Sequence, residues 1–178
     1  MERFVTATND SCTLSKLSLH NQRYISDEFV QHFVGKRNVR RAPIINRGYF
    51  IRSWAIEQCV VGFLEQNKNN CCQIISIGAG FDTLYFRLKK KRGALLQCCS
   101  YVEIDFPSVV ARKSALIDKC REKFFCNGEV YGIFADENPR ESSPQAAQYN
   151  LIGCDVLDRN APTCVLAECI LTYLEPNE

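Results

Sequence analysis

The sequence contains few of the residues from which metal sites and nucleophilic sites are usually built. Its 178 residues include only two histidines, His20 and His32, which stand apart and have no cluster of carboxylates or cysteines beside them. It contains neither a nucleophile elbow nor a phosphate-binding P-loop. We therefore expect no metal centre and no hydrolase-type nucleophile.

Long apolar runs and a strong charge of one sign are also missing. No apolar run reaches the roughly 18 residues of a membrane span, and residues 1–10 lack the apolar core of a signal peptide. Lysine and arginine number 22 against 20 acidic residues, for a net charge of +2. This near balance argues against a dominant nucleic-acid-binding surface but leaves room for an RNA substrate recognised by a local patch.

Cysteine, in contrast, is abundant, with 11 residues. The odd number and the lack of a secretory signal predict reduced thiols in a cytosolic or nuclear protein, and of the two compartments we expect the cytoplasm. Two adjacent pairs, Cys71-Cys72 and Cys98-Cys99, lack the C-x-x-C spacing of zinc sites. We interpret them as buried or edge thiols that behave as small hydrophobic residues.

Segments with a helical spacing of apolar residues alternate along the chain with short apolar runs. Helices are predicted over 24–34, 48–65, 81–90 and 107–120, and strands over 73–77, 99–104, 149–154 and 163–167. The alternation predicts an α/β fold with a parallel sheet. We divide the chain into an N-terminal arm and helical cap, 1–66, and a sheet-containing domain, 67–178, and we interpret the polar residues 1–22 as an arm or cap.

Glycines and carboxylates follow the predicted strands, at the edge where open α/β sheets bind ligands. In strand order these residues are Gly78 and Gly80, then Glu103 and Asp105, then Asp155, then Glu168. The glycines let the backbone turn tightly and approach a ligand. Glu103 and Asp105 both lie at the distance from a glycine turn at which an acidic residue binds a ribose diol. The pattern fits a nicotinamide dinucleotide and S-adenosylmethionine alike.

Two details favour S-adenosylmethionine over the dinucleotide. Thr83 occupies the position where the dinucleotide fingerprint requires its third glycine. The further carboxylates, Asp155 and Glu168, suit a sulfonium cation and an α-amino group better than a pyrophosphate. A dinucleotide and a purely structural role for these residues are the alternatives.

Several phrases of the sequence resemble the leucine carboxyl methyltransferase family. They are APIINRGYFIR (42–52), ISIGAGFDTLYFRLK (75–89), EIDFP (103–107), IGCDV (152–156) and LAECILTYLEP (166–176). The resemblance runs in order from about Thr8 to the end of the chain. It implies a Rossmann-like S-adenosylmethionine-dependent methyltransferase fold, of which this chain holds the N-terminal part, with an N-terminal helical cap.

The resemblance also implies a role for each cofactor-binding residue. Lys16 and Arg52 would lie near the methionine end, Gly78 and Gly80 would form the glycine turn, Asp105 would bind the ribose, Asp155 and Val156 would flank the adenine, and Glu168 would hold the amino group side. No catalytic base is named, because a carboxylate substrate is already ionised at neutral pH.

Two branches of the family act on different substrates. One methylates a carboxylate of a wybutosine precursor in phenylalanine tRNA, and the other the C-terminal leucine carboxylate of the protein phosphatase 2A catalytic subunit. TNDSCTLSK (8–16), GFDTLYFRLK (80–89) and LTYLEP (171–176) resemble the tRNA branch, whereas QHFV (31–34) resembles the phosphatase branch. The balance favours the tRNA branch. A non-catalytic fragment that binds cofactor or a partner is the alternative from outside the enzymes.

Family members continue beyond the position where this chain stops, Glu178. The tRNA branch also carries a Kelch-type propeller, and no Kelch repeat occurs in this sequence. We therefore expect the fourth predicted strand to be an exposed sheet edge. For the chain alone we expect marginal stability and weak or absent activity.

Overall fold

The structure, a computed structural model, describes residues 2–35, 37–125, 132–134, 149–152 and 161–168. Its helices are α1 (Glu2–Asn21), α2 (Val30–Val34), α3 (Pro43–Gln66), α4 (Leu84–Arg92), α5 (Pro107–Lys119) and α6 (Arg121–Phe124), with a 3-10 helix over Gly93–Leu96. Its strands are β1 (Cys72–Ile77), β2 (Cys99–Ile104), β3 (Gly132–Phe134), β4 (Tyr149–Ile152) and β5 (Thr163–Leu166). Within these ranges, no helix combines the length and the apolar character that a membrane crossing requires.

The strands form one sheet in the order β3-β4-β2-β1-β5, and all four pairs of neighbours are parallel. This confirms the predicted α/β fold with a parallel sheet. In the register, Ile74 of β1 lies between Tyr101 of β2 and Cys164 of β5. The carboxyl ends of these three strands therefore open at one edge, which we call the carboxyl edge. β5 lies at one end of the sheet order.

The predicted strands lie within two residues of the observed ones. β1 begins one residue before the predicted start, β2 matches 99–104, and β5 ends at Leu166. Residues 153–154, predicted as the end of the third strand, lie outside the described residues. β3 has no counterpart among the predicted strands, because three residues are too few to show the alternation of a strand.

The helices differ from prediction mainly at their starts. The apolar spacing predicts α3 over 48–65, but the helix begins earlier, at Pro43. Proline suits the first helical position, because the N–H group that it lacks would have no hydrogen-bond partner within the helix there. α5 begins in the same way at Pro107, as predicted. α4 begins at Leu84, three residues into the predicted 81–90.

The polar N-terminal segment, predicted as an arm or cap, is a 20-residue helix, α1. The face of α1 that packs against the protein includes polar side chains, so the sequence does not mark this face as apolar. Thr13 is buried and donates to the backbone oxygen of Asn9 at 2.7 Å, and buried Ser18 donates to Oδ1 of Asn46 in α3 at 2.9 Å. Because these hydroxyls have partners, a face with a polar sequence packs against the protein. The division of the chain at residue 66 stays a prediction.

The helix predicted over 24–34 is wrong in extent, since α2 is its only helical part. Oδ1 of Asp27 accepts the backbone N–H groups of Phe29 at 3.1 Å and Val30 at 3.2 Å. A carboxylate bonded in this way starts a helix rather than continuing one. Phe29 and Phe33 are nevertheless buried, so the apolar spacing identified core residues correctly.

Aromatic side chains pack α4 onto the sheet and the turn before it onto α2. Tyr85 of α4 stacks on Tyr149 of β4 with ring centroids 4.5 Å apart, and Phe81 of the turn stacks on Phe33 of α2 at 5.3 Å. Offset ring pairs of this kind stabilise beyond the area they bury. The turn that follows β1 therefore rests on a packed core.

The two cysteine pairs each place one thiol inside and one outside, as neighbouring strand residues do. Cys72 and Cys99 are buried, whereas Cys71 and Cys98 are exposed. The prediction of buried or edge thiols is thus confirmed for both pairs. Among the described residues, no group of His, Cys, Asp and Glu side chains has the arrangement of a metal site.

Candidate cofactor site

The turn after β1 has the backbone conformation that glycine favours. Gly78 has φ of 62° and Gly80 has φ of 53°, both in the left-handed region, where a side chain is strained. The N–H of Gly78 donates to the backbone oxygen of Ile104 at 2.7 Å and so holds the turn against the end of β2. The two glycines predicted for a cofactor turn therefore do form a tight turn at the carboxyl edge.

Asp105, one residue beyond β2, lies against this turn. Its Oδ2 accepts the N–H of Gly80 at 2.6 Å, and its Oδ1 accepts the N–H of Phe106 at 2.7 Å. The side chain is half-buried. The fold thus brings Asp105 and the glycines together, although they are 25 residues apart in the chain.

Helix α1 closes over the same turn through Asn9. Its Oδ1 accepts the N–H of Phe81 at 2.9 Å, and a Cβ atom built on Gly80 would lie 2.4 Å from that oxygen. Glycine is therefore required at position 80 by close approach as well as by backbone conformation.

Lys16, Arg52 and Glu168 meet in an ion-pair network at the carboxyl edge. Nζ of Lys16 lies 3.3 Å from Oε2 of Glu168, and Nε of Arg52 lies 2.6 Å from Oε1. Nζ of Lys16 also lies 2.9 Å from Oδ1 of Asp82. These residues come from α1, α3, the turn after β1 and the end of β5. The sheet order brings the last two together, because β1 and β5 are neighbours.

Both members of the Lys16–Asp82 pair are charged at neutral pH. Burial acts to lower the pKa of Lys16, but the carboxylates of Asp82 and Glu168 outweigh it and hold the pKa above its usual range. Burial acts to raise the pKa of Asp82, but the cations of Lys16 and Arg87 outweigh it and hold the pKa below its usual range. The network is therefore a set of fixed charges rather than a proton relay.

Arg52 is oriented by its neighbours as well as by Glu168. Its guanidinium lies over the ring of Tyr49, 4.5 Å from the centroid, and donates to Sγ of Cys12 at 3.7 Å. The Tyr49 hydroxyl lies 3.4 Å from the same sulfur. Burial, followed by the nearby Cys12, raises the pKa of Tyr49, so the phenol stays neutral.

The family model described as leucine carboxyl methyltransferase matches residues 2–178.

The chain belongs to the leucine carboxyl methyltransferase family.

Similar proteins of this family carry two kinds of name. The leucine carboxyl methyltransferase 1 homolog of Arabidopsis thaliana is 37% identical, over 97% of this chain and 54% of its own length. The tRNA wybutosine-synthesizing protein 4 of Homo sapiens is 40% identical, over 97% of this chain and 27% of its own length. Leucine carboxyl methyltransferase 1 of Bos taurus is 30% identical, over 98% and 55%. This chain thus spans about half the length of the two leucine carboxyl methyltransferase 1 relatives and about a quarter of the human tRNA wybutosine-synthesizing protein 4.

Membership of this family agrees with the observed fold. A parallel sheet with helices, a glycine turn after β1 and a carboxylate after β2 form the Rossmann-like arrangement that the resemblance implied. Six of the eight predicted site residues lie in the described part of the chain, and all six lie at the carboxyl edge. The other two, Asp155 and Val156, lie outside the described residues.

Glu103, the second carboxylate considered for the ribose, has a different place. It is 1% exposed, pairs with Lys113 of α5 and accepts the Tyr149 hydroxyl at 2.8 Å. Burial raises its pKa, against the opposing charge of Lys113. Glu103 therefore joins α5 and β4 inside the core, and of the two candidates only Asp105 lies at the turn.

Asp82, Asn9 and Lys113 belong to the site and were not among the predicted residues. Asp82 lies two residues after Gly80, so it can be identified from the sequence as the first carboxylate after the glycine turn. Asn9 lies within the phrase TNDSCTLSK, which carries the resemblance but has no chemical signature of its own. Lys113 donates to the backbone oxygen of Asp82 at 2.8 Å, and nothing in the sequence distinguishes it from a surface lysine.

A groove of about 870 Å³ lies elsewhere, between α1, α2, α5 and α6. Its lining includes Asp10, His32, Arg112 and Lys119, and none of the predicted site residues. Arg112 and Asp10 pair across it at 3.0 Å. We do not assign the cofactor to this groove, because neither the two glycines of the turn nor Asp105 line it.

Proposed function

We propose that this chain is the cofactor-binding part of an S-adenosylmethionine-dependent carboxyl methyltransferase. The observation that carries this proposal is the contact of Lys16 and Arg52 with Glu168 at the carboxyl edge. The amino-acid end of S-adenosylmethionine bears one carboxylate and one ammonium group. The same side chains can bind it by exchanging partners, with Lys16 and Arg52 on the carboxylate and Glu168 on the ammonium.

Asp105 is the proposed ribose ligand. Each of its oxygens accepts one backbone N–H, and a carboxylate offers about four lone-pair sites, so each oxygen retains room for a ribose hydroxyl. The resemblance places Asp155 and Val156 beside the adenine, and this stays a prediction.

A nicotinamide dinucleotide fits these residues less well. A pyrophosphate needs the third glycine of the turn and free N–H groups at the following helix. Thr83 occupies that position, and its hydroxyl donates to Oδ2 of Asp27 at 2.6 Å inside the protein. The carboxylate of Asp82 beside it would repel a pyrophosphate.

The chemistry requires positioning rather than a strong base. S-adenosylmethionine supplies an electrophilic methyl group on a sulfonium, and a carboxylate is already ionised at neutral pH. Holding the carboxylate oxygen in line with the methyl group, with water excluded, accounts for most of the required catalysis. Arg52 lies where it can orient either the cofactor or the substrate carboxylate, and we assign no general base.

As substrate we propose the wybutosine-precursor carboxylate of phenylalanine tRNA, in the cytoplasm. The phrases at 8–16, 80–89 and 171–176 support it, together with 40% identity to the human tRNA wybutosine-synthesizing protein 4. The alternative is the C-terminal leucine of the protein phosphatase 2A catalytic subunit. It is supported by the phrase at 31–34 and by 37% identity to the Arabidopsis leucine carboxyl methyltransferase 1 homolog. A non-catalytic cofactor- or partner-binding fragment is the third possibility.

Calorimetric titration with two ligands tests the cofactor site. S-adenosylhomocysteine has the amino-acid end, and 5′-methylthioadenosine lacks it. Glu168→Gln should weaken S-adenosylhomocysteine binding by about 10-fold or more, as expected for a lost charge-assisted hydrogen bond, and leave methylthioadenosine unchanged. Asp105→Ala should weaken both ligands. The exposed α3 variant Glu65→Gln is the control and should bind both as the unmodified chain does.

One result would count against the methyltransferase proposal, and a second against the role proposed for Glu168. One is a folded chain that binds NAD and neither adenosine ligand. The other is that Glu168→Gln weakens the binding of S-adenosylhomocysteine and of methylthioadenosine equally. Glu168 would then not bind the amino-acid end of the cofactor.

Transfer of a labelled methyl group decides the substrate. The chain is incubated with labelled S-adenosylmethionine and either precursor-containing phenylalanine tRNA or the phosphatase catalytic subunit. Label in tRNA supports the first substrate, and label in the subunit, lost when its terminal leucine is deleted, supports the second. Cofactor binding without transfer to either supports the non-catalytic reading.

A further inference from the structure

Two exposed cysteines lie side by side at the amino ends of β1 and β2, at the edge of the sheet opposite the carboxyl edge. Cys72 and Cys99 are partners in the parallel register, and the N–H of Cys72 donates to the backbone oxygen of Cys98 at 3.1 Å. Cys71 and Cys98, each one residue before its strand, therefore lie on neighbouring stretches of backbone joined by a hydrogen bond.

Cys71 and Cys98 each directly precede a buried cysteine. Cys72 and Cys99 are 5% and 3% exposed and point into the core. Cys71 and Cys98, the residues directly before them, are both exposed and therefore accessible to an oxidant in solution. Burial raises the pKa of the Cys72 thiol against the hydrogen bond with Cys99, and both Cys71 and Cys98 raise it further.

Neighbouring strands lie about 4.8 Å apart, and disulfides join Cα atoms that are about 4.4–6.8 Å apart. We propose that Cys71 and Cys98 are an oxidation site, which forms a reversible disulfide with a low-molecular-weight disulfide such as glutathione disulfide. The buried thiols behind them take no part, because the oxidant cannot reach them.

The exchange balances in two steps. The thiolate of one cysteine attacks glutathione disulfide, forms a mixed disulfide and releases one glutathione thiolate. The thiolate of the second cysteine attacks the protein sulfur of that mixed disulfide and releases the second glutathione. The two cysteines lose two electrons and two protons, and the oxidant leaves as two molecules of glutathione.

The bond would tie β1 to β2 at the ends opposite Gly80 and Asp105. Closing the loop between residues 71 and 98 restricts the unfolded chain and so raises the melting temperature. The site does not depend on the cofactor proposal, because it uses none of the same residues.

Mass spectrometry of the full chain tests the site. After incubation with glutathione disulfide and alkylation of the remaining thiols, we expect Cys71 and Cys98 to escape alkylation. A proteolytic peptide pair linked through them should have a mass about 2 Da below the sum of the two reduced peptides. The melting temperature should rise by roughly 5–10 °C and return on reduction.

Three cysteine variants complete the experiment. Cys71→Ser and Cys98→Ser should each abolish the linked pair and leave a mixed disulfide with glutathione on the remaining cysteine of the pair. Cys59→Ser removes an exposed thiol of α3 and should leave the linkage intact. Linkage of either residue to a different cysteine in the unmodified chain would overturn the proposal. So would mixed disulfides on both residues without a cross-link, a result that does not depend on whether the variants fold.

Discussion

Nζ of Lys16 lies 2.9 Å from Oδ1 of Asp82, with the two side chains only 11% and 12% exposed. This pair joins α1 to the glycine turn. The backbone oxygen of Asp82 also accepts a hydrogen bond from Lys113 of α5 at 2.8 Å. One residue thus connects two helices to the turn that carries the proposed cofactor site, although Asp82 need not touch the cofactor.

Asp82→Asn should destabilise the chain. It leaves the buried Lys16 with Glu168 as its one remaining carboxylate at 3.3 Å, and breaking a buried ion pair costs several kcal/mol. We expect a loss of about 2–3 kcal/mol in the free energy of unfolding, measured by urea denaturation. The exposed pair Arg92–Glu65 provides the matched control, because Glu65→Gln should cause no measurable change. Equal effects of the two substitutions would show that burial of the first pair is not what matters.

The contribution of Asp82 should depend on pH in a defined direction. Its pKa in the folded chain lies below that of an unfolded aspartate, about 3.9. The ionised group therefore stabilises the fold fully above the unfolded pKa, and this is lost as the pH falls through the folded pKa. The difference in unfolding free energy between the unmodified chain and Asp82→Asn should be constant from about pH 7 to 5 and shrink below about pH 4. A difference that is unchanged at about pH 3 would contradict this.

Gly80→Ala and Gly62→Ala should have opposite effects. At position 80 a Cβ would meet Asn9 at 2.4 Å in a backbone with φ of 53°, whereas at position 62, inside α3, nothing lies within 4 Å. We expect Gly80→Ala to lose about 2 kcal/mol and Gly62→Ala to gain up to about 1 kcal/mol in unfolding free energy. Adding Asn9→Ala to Gly80→Ala removes the steric clash and also the acceptor of the Phe81 N–H, so it should recover at most part of the loss. Thermal melts of all four proteins test the ordering.

Lys113→Met should expose the cost of an unpaired buried charge. Lys113 is 1% exposed and pairs with Glu103, which is equally buried. Without the lysine, we expect a loss of about 3 kcal/mol at neutral pH, measured by urea denaturation. Lys113→Met combined with Glu103→Gln should recover part of it, because the charge is removed along with its partner. The exposed α5 variant Lys119→Met should be neutral, and a double variant no more stable than the single one would argue against this account.

The features that could be predicted from the sequence are those that depend on patterns within short segments of the chain. Apolar runs with β-branched residues predicted β1 and β2, and Gly78 and Gly80 directly after the first of these runs predicted the glycine turn. Carboxylates after strands could be assigned to one edge because parallel strands end at the same edge. The apolar pattern did not predict the packing of α1, because its buried residues include Thr13 and Ser18, whose hydroxyls have hydrogen-bond partners.

The sequence by itself determined the class of fold and the family, and it indicated the sheet edge at which we propose that a ligand binds, since each depends on local periodicity or on ordered phrases. Only the tertiary structure decided which charged groups meet. It placed Asp105 rather than Glu103 at the glycine turn, and it joined Asp82 to Lys16 across 66 positions of the chain. The physical reason is that an ion pair depends on the distance and burial of two side chains, and both arise from packing between elements that are remote in sequence.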